Sequence, residues 1–270
     1  MRSLFLAVLT GILIAPMIRG QELSAAEKEI VNSARSRYYN LENHGFVSAT
    51  CSVSFDFSTV PFLPSENPAE TQKLLRATQF SITMDRSGAS SDFHYPADAS
   101  NEGKRGAQST ANVLASLISG VFQTWPTKGL DGPIPAFDSQ VKSATATADG
   151  YLLILNFPGD PVRIEMDKKY LVTEIVSVGG KIDEHPSYSP TPDGLIFVGN
   201  TAVDDTEQSG RILVKYELGN AIVDGLRLPT SVHLQVIPKI NTRFSLNGCT
   251  VRKGVVLQVR PPASSERPSD

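Results

Sequence analysis

The sequence predicts an α+β protein: a curved antiparallel sheet or incompletely closed β-barrel, with an N-terminal helix and a mid-chain helix covering it. Three observations lead there. Segments of apolar/polar alternation fill the second half of the chain, joined by Gly-, Asn- and Asp-containing turns too short for a parallel crossover. Two stretches of helical apolar spacing, about 24–41 and 108–124, stand apart from them. Two cysteines, Cys51 and Cys249, lie on alternating segments near opposite ends of the chain.

The first twenty residues read as a secretory leader. Arg2 is followed by an apolar run from Leu4 to Ala15, broken only by Thr10 and Gly11 and ended by Pro16. Cleavage is expected between Gly20 and Gln21. The run is shorter than the ~20 apolar residues that cross a bilayer, and no later segment is long enough either. The expected product is exported, periplasmic or extracellular, with one β-rich domain over 21–259 and a disordered tail at 260–270 rich in Pro, Ser and charge.

Ser24 and Glu27 form a capping box ahead of the stripe Ala26, Ile30, Ala34, Tyr38 and Leu41, and Asn43-His44-Gly45 stops that helix. Val47, Ala49, Cys51, Val53, Phe55 and Phe57 then alternate with polar residues as a half-buried strand. A loop follows at 58–66, and Asn67-Pro68 starts a short helix reaching Ala77. Phe80, Ile82 and Met84 form a strand that turns at Arg86-Ser87-Gly88 and returns at 92–95, and 96–105 reads as polar loop. In the mid-chain helix one row is Val113, Leu117, Val121 and Trp125, and the row beside it is Leu114, Ile118 and Phe122. No charge occurs from Gly106 to Thr127. Such a helix either packs a core or closes the mouth of an apolar cavity.

Beyond residue 140 the pattern is β throughout. Segments 151–157 and 162–166 flank Pro158-Gly159-Asp160-Pro161 as a hairpin, and further strands fall at 170–178, 194–203, 211–218 and 227–237. Gly219-Asn220 and Asp224-Gly225 are among the expected turns. Ile212, Val214, Tyr216 and Leu218 point inward, as do Val232, Leu234 and Val236. Cys249, Val251, Val255, Leu257 and Val259 share the inward parity of the last segment. In an oxidising compartment Cys51 and Cys249 are expected to bond to each other; two unpaired buried thiols are the alternative.

The formal charge of −3 becomes −5 if Arg2 and Arg19 leave with the leader. With no Lys/Arg cluster, nucleic acid is not an expected partner. Catalytic signals are equally sparse. There is no Gly-x-Ser-x-Gly turn, no phosphate-binding Gly-rich loop and no Cys-x-x-Cys, and His44, His94, His185 and His233 are scattered. Asp183-Glu184-His185, ahead of a Pro-rich loop, and Asp204-Asp205 with Glu207 could serve a hard cation such as calcium. Neither has the spacing of a calcium loop, and both are expected to be solvated turn acids. No cofactor, metal or catalytic residue is assigned, and the chain is read as no enzyme.

The order of elements resembles the periplasmic lipoprotein-carrier (LolA-like) superfamily. The resemblance covers about 24–57 and 151–259. It rests on the N-terminal helix followed by a long strand, on the DKKYLVTEIVSV stretch from Asp167 to Val178, and on Tyr216, Asp224-Gly225 and Leu228-Pro229-Thr230. That resemblance implies a sheet holding acyl chains under a helical lid, but supplies no ligand contacts residue by residue. The candidate lining, taken from the inward pattern, is Val53, Phe55, Leu117, Val121, Phe122, Trp125, Val214 and Tyr216. Three readings follow: a non-enzymatic carrier of a lipid or other apolar ligand, an envelope module that contacts another protein, and a hydrolase with carboxylate or hydroxyl chemistry, for which an activity sensitive to mutation of Asp183 or Asp204 would be the sign.

Overall fold

The computed structural model describes residues 22–254, except 61–65, 124, 157–160, 178, 180–181, 207–209 and 238–239, and except the side chains of 204–206, 210 and 211. The expected leader and tail, the 158–160 turn, and Val255, Leu257 and Val259 lie outside the described residues.

Twelve strands form one sheet in the order β3-β2-β1-β12-β11-β10-β9-β8-β7-β6-β5-β4, and every neighbouring pair is antiparallel. They are β1 (Phe46–Phe55), β2 (Gln79–Asp85), β3 (Gly88–His94), β4 (Val141–Ala146), β5 (Gly150–Leu155) and β6 (Val162–Asp167). The rest are β7 (Val172–Ser177), β8 (Ile182–Thr191), β9 (Gly194–Thr206), β10 (Gly210–Val223), β11 (Leu226–Ile237) and β12 (Ile240–Lys253). Among the described residues β3 and β4 do not pair, so the sheet stays open. Three α-helices accompany it there: α1 (Ala25–Arg35), α2 (Pro68–Ala77) and α3 (Asn101–Gln123).

Among the described residues, the pairing of β1 with β12 is the only one between strands far apart in the chain. They pair from Phe46↔Lys253 to Phe55↔Phe244, with a register shift between Thr50 and Ser52. Opposite that shift, Gly248 takes φ +55, a left-handed conformation that suits glycine. The extra residue flips the strand's parity, so Phe244 and Leu246 before it and Cys249 after it all pack on the same core. Cys51 and Cys249 are bonded there, 198 residues apart in sequence.

Both hydrophobic clusters occupy one face of the sheet. Cross-strand registers trace a single row across it, Ala144–Leu153–Ile164–Ile175–Glu184–Ala202–Val214–Val236. Helix α1 supplies Val31 and Ala34 to the cluster over β4–β7, and α3 supplies Leu114, Ile118, Val121 and Phe122 to the cluster over β1–β3 and β10–β12.

Several elements differ from expectation. The capping box of Ser24 and Glu27 forms in both directions, yet α1 ends at Arg35. Its tail instead pairs with the sheet: Tyr39 N donates to Leu195 O at 2.9 Å and Leu195 N to Arg37 O at 2.8 Å. The tertiary bonds override the helical spacing of Tyr38 and Leu41, which are buried all the same. Helix α3 starts at Asn101, inside the expected loop, where Ser100 Oγ accepts from Gly103 N at 3.0 Å as a cap. Gly219-Asn220 is no turn but a register shift within β10. The hairpin turn falls at Asp224-Gly225, both with positive φ.

The Pro-rich segment is strand β8 rather than loop. Pro186 and Pro190 pair with β9, while β7 pairs with β8 only at Asp183 and Glu184. The prolines therefore follow the point where the β7 ladder ends, and their missing N–H groups cost no ladder bond on that side. Asp204 and Asp205 belong to β9, not to a turn; their side chains and Glu207 lie outside the described residues.

Replacing both Cys51 and Cys249 by serine should remove up to roughly 5 kcal/mol, the chain-entropy value for so long a loop. Urea denaturation of the variant and of the oxidised wild type measures it. Coincident midpoints would contradict a stabilising bond.

Candidate functional site

The eight lining residues converge on one apolar cluster over the inner face. Val53 and Phe55 come from β1, Leu117, Val121 and Phe122 from α3, Trp125 from the turn that follows it, and Val214 and Tyr216 from β10. Phe122 is wholly buried and Trp125 nearly so, whereas Leu117 and Val214 are half-buried. Trp125 meets Phe46 edge-on at 5.9 Å and Phe122 at 6.3 Å between ring centroids. The middle of the inner face is therefore closely packed under α3.

The packing opens at the end of β1. A cavity of about 320 Å³ is lined there by Val53, Phe55, Phe57, Phe80, Arg76 and Thr78, with Ser54 at its edge. Phe55 is its aromatic hub, 5.2 Å from Phe80, 5.5 Å from Phe244 and 6.1 Å from Phe57. Residue alternation on β1 carries Val53 and Phe55 inward, and α2 ends beside them. There the Arg76 guanidinium lies over the Phe57 ring at 5.1 Å from its centroid. The result is an apolar floor with a cation at the rim.

A second feature was invisible in the sequence pattern. Glu184 interrupts the apolar row across the inner face, and its charge must be met where it is buried. Lys128, from the short π-helical turn Pro126–Leu130 after α3, meets it in an ion pair, with side-chain exposures of 4% and 18%. Asn200 Nδ2 donates to the same oxygen, Glu184 Oε2, at 2.6 Å. Nearby, the Tyr188 hydroxyl and Asn200 Oδ1 are buried with no partner among the described residues. Burial drives the Tyr188 phenol well above its usual range. Lys128 is the first charge after the uncharged stretch ending at Thr127, the one hint the sequence carries. Nothing local to Glu184 says that it turns inward.

Asp131, just beyond that turn, lies near Glu42. Burial first, and then the Glu42 carboxylate, raise its carboxyl to about 6 against the opposing pull of Arg86, which is paired with Glu42. On the outer face a polar hollow of about 600 Å³ crosses β10, β11, β12 and β1, edged by Asp56, Glu217, His233 and Arg243. His233 Nε2 is 2.9 Å from Asn241 Oδ1. The Asp183 and His185 side chains also lie on the outer face, away from Lys128 and Glu184.

No family model and no curated protein matches the chain. Among solved structures, the crystal structure of a DUF1329 family protein from Desulfovibrio piger aligns over 86% of this chain and 95% of that one, with 11% identity and a TM-score of 0.33. That likeness is too low to establish a shared fold. Among the described residues, no helix is long and apolar enough to cross a membrane.

Two predictions follow from the buried charges. Lys128→Met strands Glu184 and should cost about 3–5 kcal/mol, while Lys128→Met combined with Glu184→Leu should recover most of it. Chemical denaturation of the three proteins checks this. For Asp131, the folded carboxyl is raised above its ordinary 3.8. Its contribution is complete at low pH and is lost as pH rises through about 6. Asp131→Asn should therefore gain roughly 1–2 kcal/mol over wild type at pH 7, solvent at this partly buried site screening the rest, and little at pH 4. Thermal melts across that range read the difference.

Proposed function

We propose that the protein is an exported, non-enzymatic carrier that holds an apolar chain with an anionic head against the inner face of its sheet. The observation that carries this reading is the cavity at the end of β1, with Val53, Phe55, Phe57 and Phe80 as its floor and Arg76 at its rim. Its volume is at the lower end of the roughly 300–1,000 Å³ usual for small-ligand sites. An apolar tail matches the aromatic floor, and a carboxylate or phosphate head matches the guanidinium. The deeper residues, Leu117, Val121, Phe122, Trp125, Val214 and Tyr216, continue the same apolar cluster beneath α3. A longer chain reaches them once α3 shifts from the sheet. The uncharged stretch from Gly106 to Thr127 suits a covering helix of this kind. Export is supported by the expected leader and by the Cys51–Cys249 bond, which fits an oxidising compartment.

The test is native mass spectrometry of the protein purified without detergent, followed by displacement of a fluorescent fatty-acid probe by oleate. A bound lipid mass, and binding weakened at least fivefold by Arg76→Glu and by Phe57→Ala, are expected. Protein that emerges ligand-free and takes up no probe would overturn the carrier reading. A stable protein partner recovered in place of lipid would favour the envelope-module reading instead.

A further inference from the structure

We propose that Glu174, Asp183 and His185 form a binding site for a divalent transition-metal ion of the zinc type on the outer face of the sheet. The three residues come from two paired strands. Ile175 pairs with Glu184 and Val176 with Asp183, so alternation puts Glu174 on β7 and both Asp183 and His185 on β8 on the face opposite Glu184. One potential ligand atom from each lies within 4.8 Å of the other two.

Two details distinguish this group from solvated carboxylates. The His185 ring is oriented from outside the group, with Nδ1 at 3.2 Å from the Thr173 backbone oxygen. A carbonyl only accepts, so Nδ1 carries the proton, and in the neutral ring Nε2 presents its lone pair. This is the outer-shell arrangement that histidine ligands of metals use. The second detail is what Nε2 faces. Asp183 Oδ1 lies 3.4 Å away, is shut off from solvent, and has no hydrogen-bond partner among the described residues. With the ring neutral these are two acceptors that confront each other, an arrangement that needs a proton or a metal cation between them. Ligands at bond lengths of ~2.1 Å around a tetrahedral ion are ~3.4 Å apart, which is the separation of His185 Nε2 and Asp183 Oδ1, with Glu174 within 4.8 Å of both.

Glu174 completes the set and is held in turn by Arg163, whose Nη2 donates to Glu174 Oε2 at 3.0 Å. One imidazole and two carboxylates suit a borderline ion better than calcium, which needs six or more oxygens. Three protein ligands leave the fourth position open to water or to a donor from another molecule. With side-chain exposures of 24% for Glu174, 43% for Asp183 and 51% for His185, the site faces outward. It is separate from the ligand cavity and does not depend on that reading.

Chelator-treated full-length protein titrated with zinc in a calorimeter provides the test. One equivalent should bind, and His185→Ala and Asp183→Asn should each weaken binding at least tenfold, while His233→Ala leaves it unchanged. In the wild-type protein, cobalt(II) should shift or broaden the His185 ring signals selectively, with those of His94 and His233 spared; this second reading stands even if a variant fails to fold. Zinc uptake that is absent, unchanged by His185→Ala, or accompanied by cobalt effects on all histidines alike would overturn the site. So would a His185 ring that remains an imidazolium paired with Asp183 in the presence of zinc.

Discussion

The fold depends on the pairing of β1 with β12. Every other neighbouring pair in the sheet is also consecutive in sequence, so each can form by closing a hairpin. Without that one contact the chain would make two separate meanders, β1–β3 and β4–β12, each with an uncovered apolar face. The hydrophobic row of β1 is flanked on one side by Phe80, Ile82 and Met84 of β2, and its other side is covered only when Phe244 and Leu246 arrive beside Phe55 and Val53. The bulge at Gly248 lets β12 serve both ends of this seam. A strand without it would turn either Cys249 or Phe244 to solvent.

The seam also determines what α3 must do. Strands β3 and β4 are the two edges of the twelve-stranded sheet, yet they follow one another along the chain. Eleven strand spacings of about 4.8 Å would put those edges roughly 53 Å apart in a flat sheet. A helix of 23 residues covers only about 35 Å of that. The connection therefore runs over the inner face, and α3 and the turn carrying Lys128 become part of the interior. Glu184 and Lys128 pin this crossing segment to the middle of the sheet, where an unpaired carboxylate could not be buried. Lid and crossover are one segment, which is why the proposed ligand would enter beside α2 at the end of β1.

Much of this was legible in the residues. The parity of Val53 and Phe55, the turn at Asp224-Gly225, the cap at Asn67 and the cysteine pairing all followed from local pattern and redox chemistry. What escaped had tertiary causes. Tyr38 and Leu41 keep helical spacing, but the backbone bonds to Leu195 are stronger claims on that segment than periodicity. Pro186 and Pro190 argue for loop wherever both sides of a strand are paired, and only the early end of β7 makes them acceptable in β8. Asp183 and His185 looked like turn residues for the same reason. The eight residues taken from the inward pattern share one apolar cluster, but Glu184 and Lys128 are remote in sequence and belong to no motif. Their meeting required the register of five strands.

A ribosome delivers this chain with β1 first and β12 last. Between them about 190 residues must appear before the edge of β1 can be covered, so its oily side chains wait beside an open strand edge throughout that interval. Slow production or crowding at that stage would favour sticking of one newborn molecule to another through β1.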